Sequence, residues 1–444
     1  MRLSVIGCGY LGTVHAAAMA SLGHDVVGID HDLTRVHELT AGRAPFFEPG
    51  LQQLLTDTLT TGRLRFSNDI ADAASARLHF LCVGTPSAAD GASAELGFLR
   101  TAVSSLLPLL KPGDFVVGKS TVPVGTASDL AAQISAAGAT LAWNPEFLRE
   151  GHAIADTLHP DRIVVGVEDT VGGVLAAEAL HDIYAPCIAE GAPIIVTDLA
   201  TAELAKGAAN AFLATKISFM NMMADIADAA GADVTGLAQI LGHDPRIGSR
   251  YLGAGIGYGG GCLPKDLRAF VARAGELGAD AEMLRQVNLV NARRRTAAAQ
   301  RLVELLDGAV EGRRVAVLGA AFKPDSDDVR DSPALDIASQ LGSLGARVVV
   351  TDPSAIENAR AKAPRLEYTA SWTEALRGAD AVLLATDWSE YKRIDPARAA
   401  ALVARPLIVD GRNCLDWEAW IAAGWQYTGI GVRGPFATAH GQFE

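Results

Sequence analysis

Short apolar runs rich in Val, Ile and Leu alternate with alanine-rich segments through about the first 200 residues: RLSVIG, DVVGID, LHFLCVG, DFVVGKS, TLAWNPE, RIVVGV and PIIVTD. Unbroken apolar runs between helical segments are the pattern of parallel strands buried on both faces. The pattern predicts a doubly wound α/β domain over residues 1–200. From about 201 to 232, TAELAKGAANAFLATKISFMNMMADIADAAGA contains no proline and carries apolar residues at helical spacing, which predicts one long helix. After a glycine-rich loop the helical spacing resumes through AEMLRQVNLVNARRRTAAAQRLVELL, so 201–311 reads as a central helical region. Strand-like runs return in GRRVAVLGAAFKP, GARVVVTDP, ADAVLLATDW and RPLIVDGRN, predicting a second domain of the same kind over 312–444. The expected fold class is therefore α/β: two Rossmann-like doubly wound domains joined by a central long-helix region.

Bulk composition agrees with several packed domains. The chain has 444 residues, 49% apolar and 20% charged, which argues against disorder. A net charge of -13 offers no global attraction for nucleic acid or an anionic membrane, so an anionic substrate must be held by local donors. MRLSVIGCGYLG meets a glycine turn too early for a secretory signal, and no apolar run approaches the length of a membrane span; a cytoplasmic protein is expected. The five cysteines are odd in number and widely spaced, with no CxxC pair or Cys/His cluster. Neither a disulfide framework nor a metal site is expected, and any functional cysteine acts alone.

Gly7, Gly9 and Gly12 form a GxGxxG pattern between a predicted strand and a predicted helix. Gly7 permits the tight turn, Gly9 the approach of a pyrophosphate, and Gly12 the packing of helix on strand. Asp30 follows 18 positions after Gly12, where a carboxylate accepts from ribose hydroxyls and repels a 2′-phosphate. The expected cofactor is NAD. Further predicted strands end in VGTP, KSTVPVGT and NPEFLREG, which belong at the carboxyl edge of the sheet where ligands bind. Thr85, Thr121, Glu146 and Glu150 are thus candidate site residues. Each threonine also suits a plain helix cap, and each glutamate a solvated face. Glu146 and Glu150, four apart, would share a face if their turn were helical.

In GYGGGCLPKDL, Cys262 follows three glycines that let backbone approach a ligand closely. Pro264 and Asp266 suit the first turn of a helix, and Lys265 lies close by, a setting that favours the thiolate. Cys8, Cys82, Cys187 and Cys414 read as small buried apolar residues. A nucleophilic thiol beside NAD suits a four-electron oxidation: the alcohol becomes an aldehyde, the thiolate captures it as a hemithioacetal, and a second hydride transfer leaves a thioester for hydrolysis. Lys206 and Asn210, four apart on the long helix, can supply oxyanion donors. Asp266 can relay protons, and Glu150 with Thr121 can position water. Lys206 is also compatible with a solvated helix lysine, although its LAKGAANAF surroundings point to burial.

Taken in order, GCGYLG, VGTP, STVPVGT, NPEFLREG, AELAKGAANAF, GYGGGCLPKD, AFKPDSDDVRDSP and DGRN resemble the UDP-glucose/GDP-mannose dehydrogenase family over nearly the whole chain. The resemblance implies an N-terminal NAD domain, a central dimerisation region and a C-terminal domain for the nucleotide of a sugar nucleotide. It implies oxidation of UDP-glucose to UDP-glucuronate with two NADH, GDP-mannose and UDP-N-acetylhexosamines being the alternative substrates, and a homodimer or larger homo-oligomer. By motif, Cys262 resembles the nucleophile, Lys206, Asn210 and Asp266 the oxyanion and proton-relay group, and Thr121 with Glu150 the water-holding pair. Gly7, Gly9, Tyr10, Leu11, Gly12, Asp30, Thr85, Thr121, Glu150 and Arg330 fall on the cofactor side. Glu146, Phe147, Leu148, Lys206, Asn210, Arg246, Tyr251, Gly259, Lys323 and Arg412 fall on the substrate side, with Arg246 matching an arginine that reaches a neighbouring subunit's site. A two-electron hydroxy-acid dehydrogenase would need no thiol, and a noncatalytic NAD-binding protein would need none of this set.

Overall fold

The computed structural model describes residues 1–432; the final residues of the expected 312–444 domain, 433–444, lie outside the described residues. The chain divides into two compact units, one of Met1–Ala209 with Arg268–Ala279, the other of Asn210–Leu267 with the chain from Asp280 onward. The helical stretch 201–311 is shared between them, and two of its helices, Leu199–Ala230 and Leu263–Glu276, run through the division.

Unit 1 is built on β1 (Arg2–Ile6), β2 (Asp25–Ile29), β3 (Leu64–Ser67), β4 (Leu78–Leu81), β5 (Phe115–Gly118), β6 (Thr140–Trp143), β7 (Ile163–Val167) and β8 (Ile194–Asp198). They form one sheet in the order β3-β2-β1-β4-β5-β6-β7-β8. The central apolar runs are covered on both faces, as expected of VVGI- and LHFL-type sequences. The doubly wound sheet is parallel in all but one pairing. β7 meets β6 antiparallel at Trp143 and Gly166, and β8 runs parallel to β7. Between β6 and β7 the chain forms a loop and the short helix Ala153–Leu158 rather than a covering crossover helix, so the chain returns in the opposite direction. β3 escaped the pattern because LRFS alternates apolar and polar positions and lies at the sheet edge.

Unit 2 contains β9 (Arg314–Leu318), β10 (Arg347–Thr351), β11 (Glu367–Tyr368), β12 (Ala381–Leu384), β13 (Leu407–Asp410) and β14 (Gln426–Thr428). All their pairings are parallel, in the order β11-β10-β9-β12-β13-β14. Counted from its own first strand, this is the 3-2-1-4-5-6 order that the first six strands of unit 1 also follow. β11 and β14 are short and carry polar residues, which hid them among the strong apolar runs.

In unit 1 the long helix Leu199–Ala230 lies close against β7, because a Cβ on Gly166 would stand 2.5 Å from the Ala202 methyl. Farther along, in unit 2, Ala211 and Ala214 pack with Tyr258, Leu267 and Val287. Among the described residues no helix is long and apolar enough to cross a membrane.

Candidate active site

Unit 1 builds a crevice at the turn after β1. Gly7 has φ +91°, a conformation that favours glycine, and a Cβ on Gly12 would lie 1.8 Å from the Gly7 carbonyl oxygen. Gly9 faces open space and precedes the helix Tyr10–Ser21, whose N-terminus has no side-chain cap. Its first amides remain available to a pyrophosphate. Asp30 at the end of β2 is buried and accepts from the Cys8 amide at 2.8 Å, the Asp32 amide at 3.0 Å and the Arg35 guanidinium at 3.0 Å. These bonds fix a carboxylate at the end of β2, where such a fold takes up a ribose, so the residues present fit a dinucleotide.

Unit 2 repeats the fold without repeating the site. Gly319 keeps the tight turn at φ +112°, but the following residues are Ala320 and Ala321. Asp352, the counterpart of Asp30, is buried and accepts from both their amides, from the amides of Ser354 and Ala355, and from the indole of Trp388. Its lone pairs are committed to the protein.

Glu48 is a residue that no motif announced. It is buried, accepts the Tyr10 hydroxyl, and receives the amides of Gly151 at 2.7 Å and Ala153 at 2.8 Å. It therefore fixes the backbone beside Glu150. Burial and the neighbouring Glu48 push the Tyr10 phenol well above its ordinary range. Leu11, in the same first turn, packs against the core of the unit.

The loops after β5 and β6 are joined by a buried ammonium. Lys119 donates to Asn144 Oδ1 at 2.9 Å and to the Tyr184 hydroxyl at 3.2 Å, and burial lowers it to about 8. Lys119 stands two residues before Thr121, and Asn144 two before Glu146. Thr121 is no helix cap: the next helix, Thr126–Ala136, starts after Gly125, and the Thr121 carbonyl accepts the Thr85 hydroxyl at 2.7 Å. Residues 144–149 are not helical, so Glu146 and Glu150 do not share a helix face. In this irregular segment Glu146 instead pairs with Lys206 at 2.9 Å and accepts the Leu148 amide at 2.6 Å. Lys206 is buried rather than solvated. Phe147 lies beneath the Arg162 guanidinium, 3.7 Å from the ring centroid.

In unit 2, Cys262 is exposed and immediately precedes the helix Leu263–Glu276, with Pro264 in its first turn. Asp266, one turn in, is buried, donates its amide to the Cys262 carbonyl, and accepts the Asn210 side-chain amide at 2.7 Å. Lys265 pairs with the same carboxylate at 2.6 Å. Cys8, Cys82 and Cys187 are buried and Cys414 is half-buried; burial pushes all four thiols up, Cys82 to about 12. Those four have the environment of inert core residues.

Two asparagines shape the backbone before Cys262. Asn221 accepts the Gly255 amide at 2.8 Å, and Asn291 accepts the Tyr258 amide at 2.9 Å while donating to the Tyr258 carbonyl. A Cβ on Gly259 would stand 2.3 Å from the Asp331 carbonyl oxygen, and one on Gly261 would collide with the Arg330 guanidinium. Arg330 itself pairs with Asp328. Arg412 donates to the carbonyls of Ala385, Gly257 and Phe322. Lys323 sits over Phe322, and Tyr251 holds a left-handed backbone at φ 65°. Arg246 projects into solvent at 88% exposure, paired with Asp244.

A complete dinucleotide turn at the switch point of a doubly wound sheet is the fold with which nicotinamide-dependent dehydrogenases bind their cofactor. Residues 1–188 match the NAD binding domain of the UDP-glucose/GDP-mannose dehydrogenase family, 200–293 its central domain and 316–417 its UDP binding domain. The chain is 41% identical to UDP-glucose 6-dehydrogenase YwqF of Bacillus subtilis (strain 168), covering 98% of each chain. Among solved structures, a UDP-glucose dehydrogenase from the archaeon Pyrobaculum islandicum superposes with a TM-score of 0.89 at 40% identity, over 97% of this chain and 98% of that one. A UDP-D-ManNAc dehydrogenase from Pyrococcus horikoshii superposes with a TM-score of 0.85 at 28% identity, over 98% and 100%. The protein belongs to the UDP-glucose/GDP-mannose dehydrogenase family and is an NAD-dependent oxidoreductase acting on a nucleotide sugar.

Proposed function

We propose that this protein oxidises UDP-glucose to UDP-glucuronate in two NAD-dependent steps through a covalent adduct on Cys262. The carrying observation is the exposed Cys262 at a helix N-terminus, one turn from a buried Asp266 held by Asn210. The greater identity to enzymes named for UDP-glucose than to one named for UDP-D-ManNAc supports the substrate.

NAD, when bound, accepts a hydride from the sugar carbon in each oxidation. The chain's residues handle the remaining chemistry. A base removes the hydroxyl proton as the alcohol becomes an aldehyde, and the Cys262 sulfur then bonds to the aldehyde carbon. Donors of the Lys206 and Asn210 type stabilise the charge on the carbonyl oxygen, while Asp266 holds or relays the proton. After the second hydride departs, Thr121 and Glu150 hold the water that adds to the thioester carbon. The C–S bond breaks and the thiolate leaves. Alcohol, two NAD and water give carboxylate, two NADH and three protons.

With limiting UDP-glucose and excess NAD, absorbance reads two NADH per sugar, and Cys262→Ser gives no carboxylate while still binding NAD. A ratio of one refutes the covalent route; turnover only with GDP-mannose or N-acetylated sugars refutes the substrate. We further assign the protein to the cytoplasm, divide it functionally at 1–200, 201–311 and 312–444, and place a homodimer interface on the long helix. Phe212, Phe219, Met222 and Ile226 support that interface, since they leave an exposed apolar stripe at helical spacing. A monomeric mass by light scattering at working concentration refutes it.

A further inference from the structure

The loop between β5 and the helix Thr126–Ala136 carries Thr121, and two side chains outside the motif set grip its far end. Glu203 lies on the long helix one turn before Lys206. It is buried and accepts the Gly125 amide at 2.7 Å and the Ala127 amide at 2.6 Å, filling the helix N-terminus that lacks its own side-chain cap. Arg273, near the end of the helix that begins after Cys262, donates its Nε to the Val124 carbonyl at 2.9 Å. Gly125, at φ +102°, accommodates this grip, since a Cβ there would come within 3.0 Å of the arginine.

We propose that Glu203 and Arg273 are positioning residues that hold the Thr121 loop in its reactive register. The acid and the base come from the two helices that also carry Lys206 and Asp266, so each helix bears both a site residue and a hold on this loop. This rests on the assignment of Thr121 to thioester hydrolysis. Without the grip, the β5 end of the loop would still be pinned, through Lys119, through the Ser120 hydroxyl on the Val83 carbonyl, and through Thr85 on Thr121. The other end would lose three charge-assisted bonds, from the Gly125 and Ala127 amides to Glu203 and from Arg273 to the Val124 carbonyl.

Glu203 responds to pH as well as to mutation. Burial raises its carboxyl to about 7, aided by Asp129 on the capped helix and opposed by the two amides and by Arg273. Protonation converts one accepting oxygen to a donor, so the grip weakens as pH falls through 7.

The test uses Glu203→Gln, which keeps the shape but only one accepting atom, and Arg273→Met from the other helix. Both are expected to accelerate hydrogen exchange in the 119–127 backbone and to lower kcat at least about tenfold with KM for NAD unchanged. Intact mass spectrometry during turnover should find a sugar-nucleotide adduct on Cys262, and Glu203→Gln should lose the fall in kcat below pH 7. If Glu203→Gln does not fold, Arg273→Met alone decides by the same exchange and kcat readouts. Unchanged exchange, or kcat within twofold of the parent, overturns the proposal. Thr121→Ala serves as reference: no adduct in that variant refutes the hydrolysis assignment, while exchange and kcat still judge the grip. Adduct in Thr121→Ala but in neither grip variant overturns the grip alone.

Discussion

Replacing Lys119 by Met removes a charge that the fold holds at a measurable cost. The ammonium is 6% exposed, bound to Asn144 and Tyr184 and flanked by the Phe80 ring; Cys82, Glu146 and the buried His15 are its ionisable neighbours. Burial lowers it from an ordinary 10.5 to about 8. The separation corresponds to about 3 kcal/mol in the balance between charged and neutral forms. Between pH 8 and 10.5 the unfolded chain therefore binds more protons at this site than the folded one, and stability rises with pH. The buried thiols and phenols act in the opposite direction above their ordinary values, but Cys82, raised to about 12, and Tyr184, raised further, stay protonated in both folded proteins across the window and largely cancel in a difference. Urea unfolding of parent and Lys119→Met at half-unit intervals from pH 7.5 to 10.5 measures that difference. The parent should gain about 3 kcal/mol over the variant across the window. A flat difference would show that Lys119 is not held as a desolvated cation, and the argument that it ties the Thr121 and Glu146 loops through a buried charge would fail with it.

Asp30→Ala should weaken NAD binding at least about tenfold by calorimetry, because a charge-assisted bond to ribose is lost; an unchanged Kd removes the ribose assignment. His79 is fully buried beside Ser4 and Asp114, and burial lowers it from 6.5 to about 4. Its folded value is the depressed one, so its contribution is complete above pH 6.5 and is lost as pH falls to about 4, by roughly 3 kcal/mol. Thermal unfolding of His79→Phe should show a shallower acid slope than the parent, and identical slopes would contradict the burial argument.

Motifs at strand ends were legible because their chemistry is local. Gly12 must lack a Cβ whatever surrounds it, since the atom would strike its own turn at Gly7. Lys206 was a harder case. An alanine-rich helix stretch hinted at burial, but its partner Glu146 lies sixty residues away and reaches it from an irregular loop where a helical turn had been considered. Glu48, Asn221, Glu203 and Asn291 gave no signal, because a lone acid or amide acquires its role only from the distant amides it accepts.

The alternation of the strong apolar strands with helices, the intact dinucleotide turn and the placing of Cys262 at a helix start were all determined by sequence alone. They depend on periodicity, glycine sterics and the unsatisfied amides of a helix terminus, each of which acts within a few residues. The tertiary structure decided the reversal of β7 and β8, the closure of the second dinucleotide-like site by Asp352, and the placement of buried charge at Lys119, Glu48 and Glu203. Those outcomes depend on which distant groups share a desolvated space, where an ion is tolerated only beside the partners that folding brings to it.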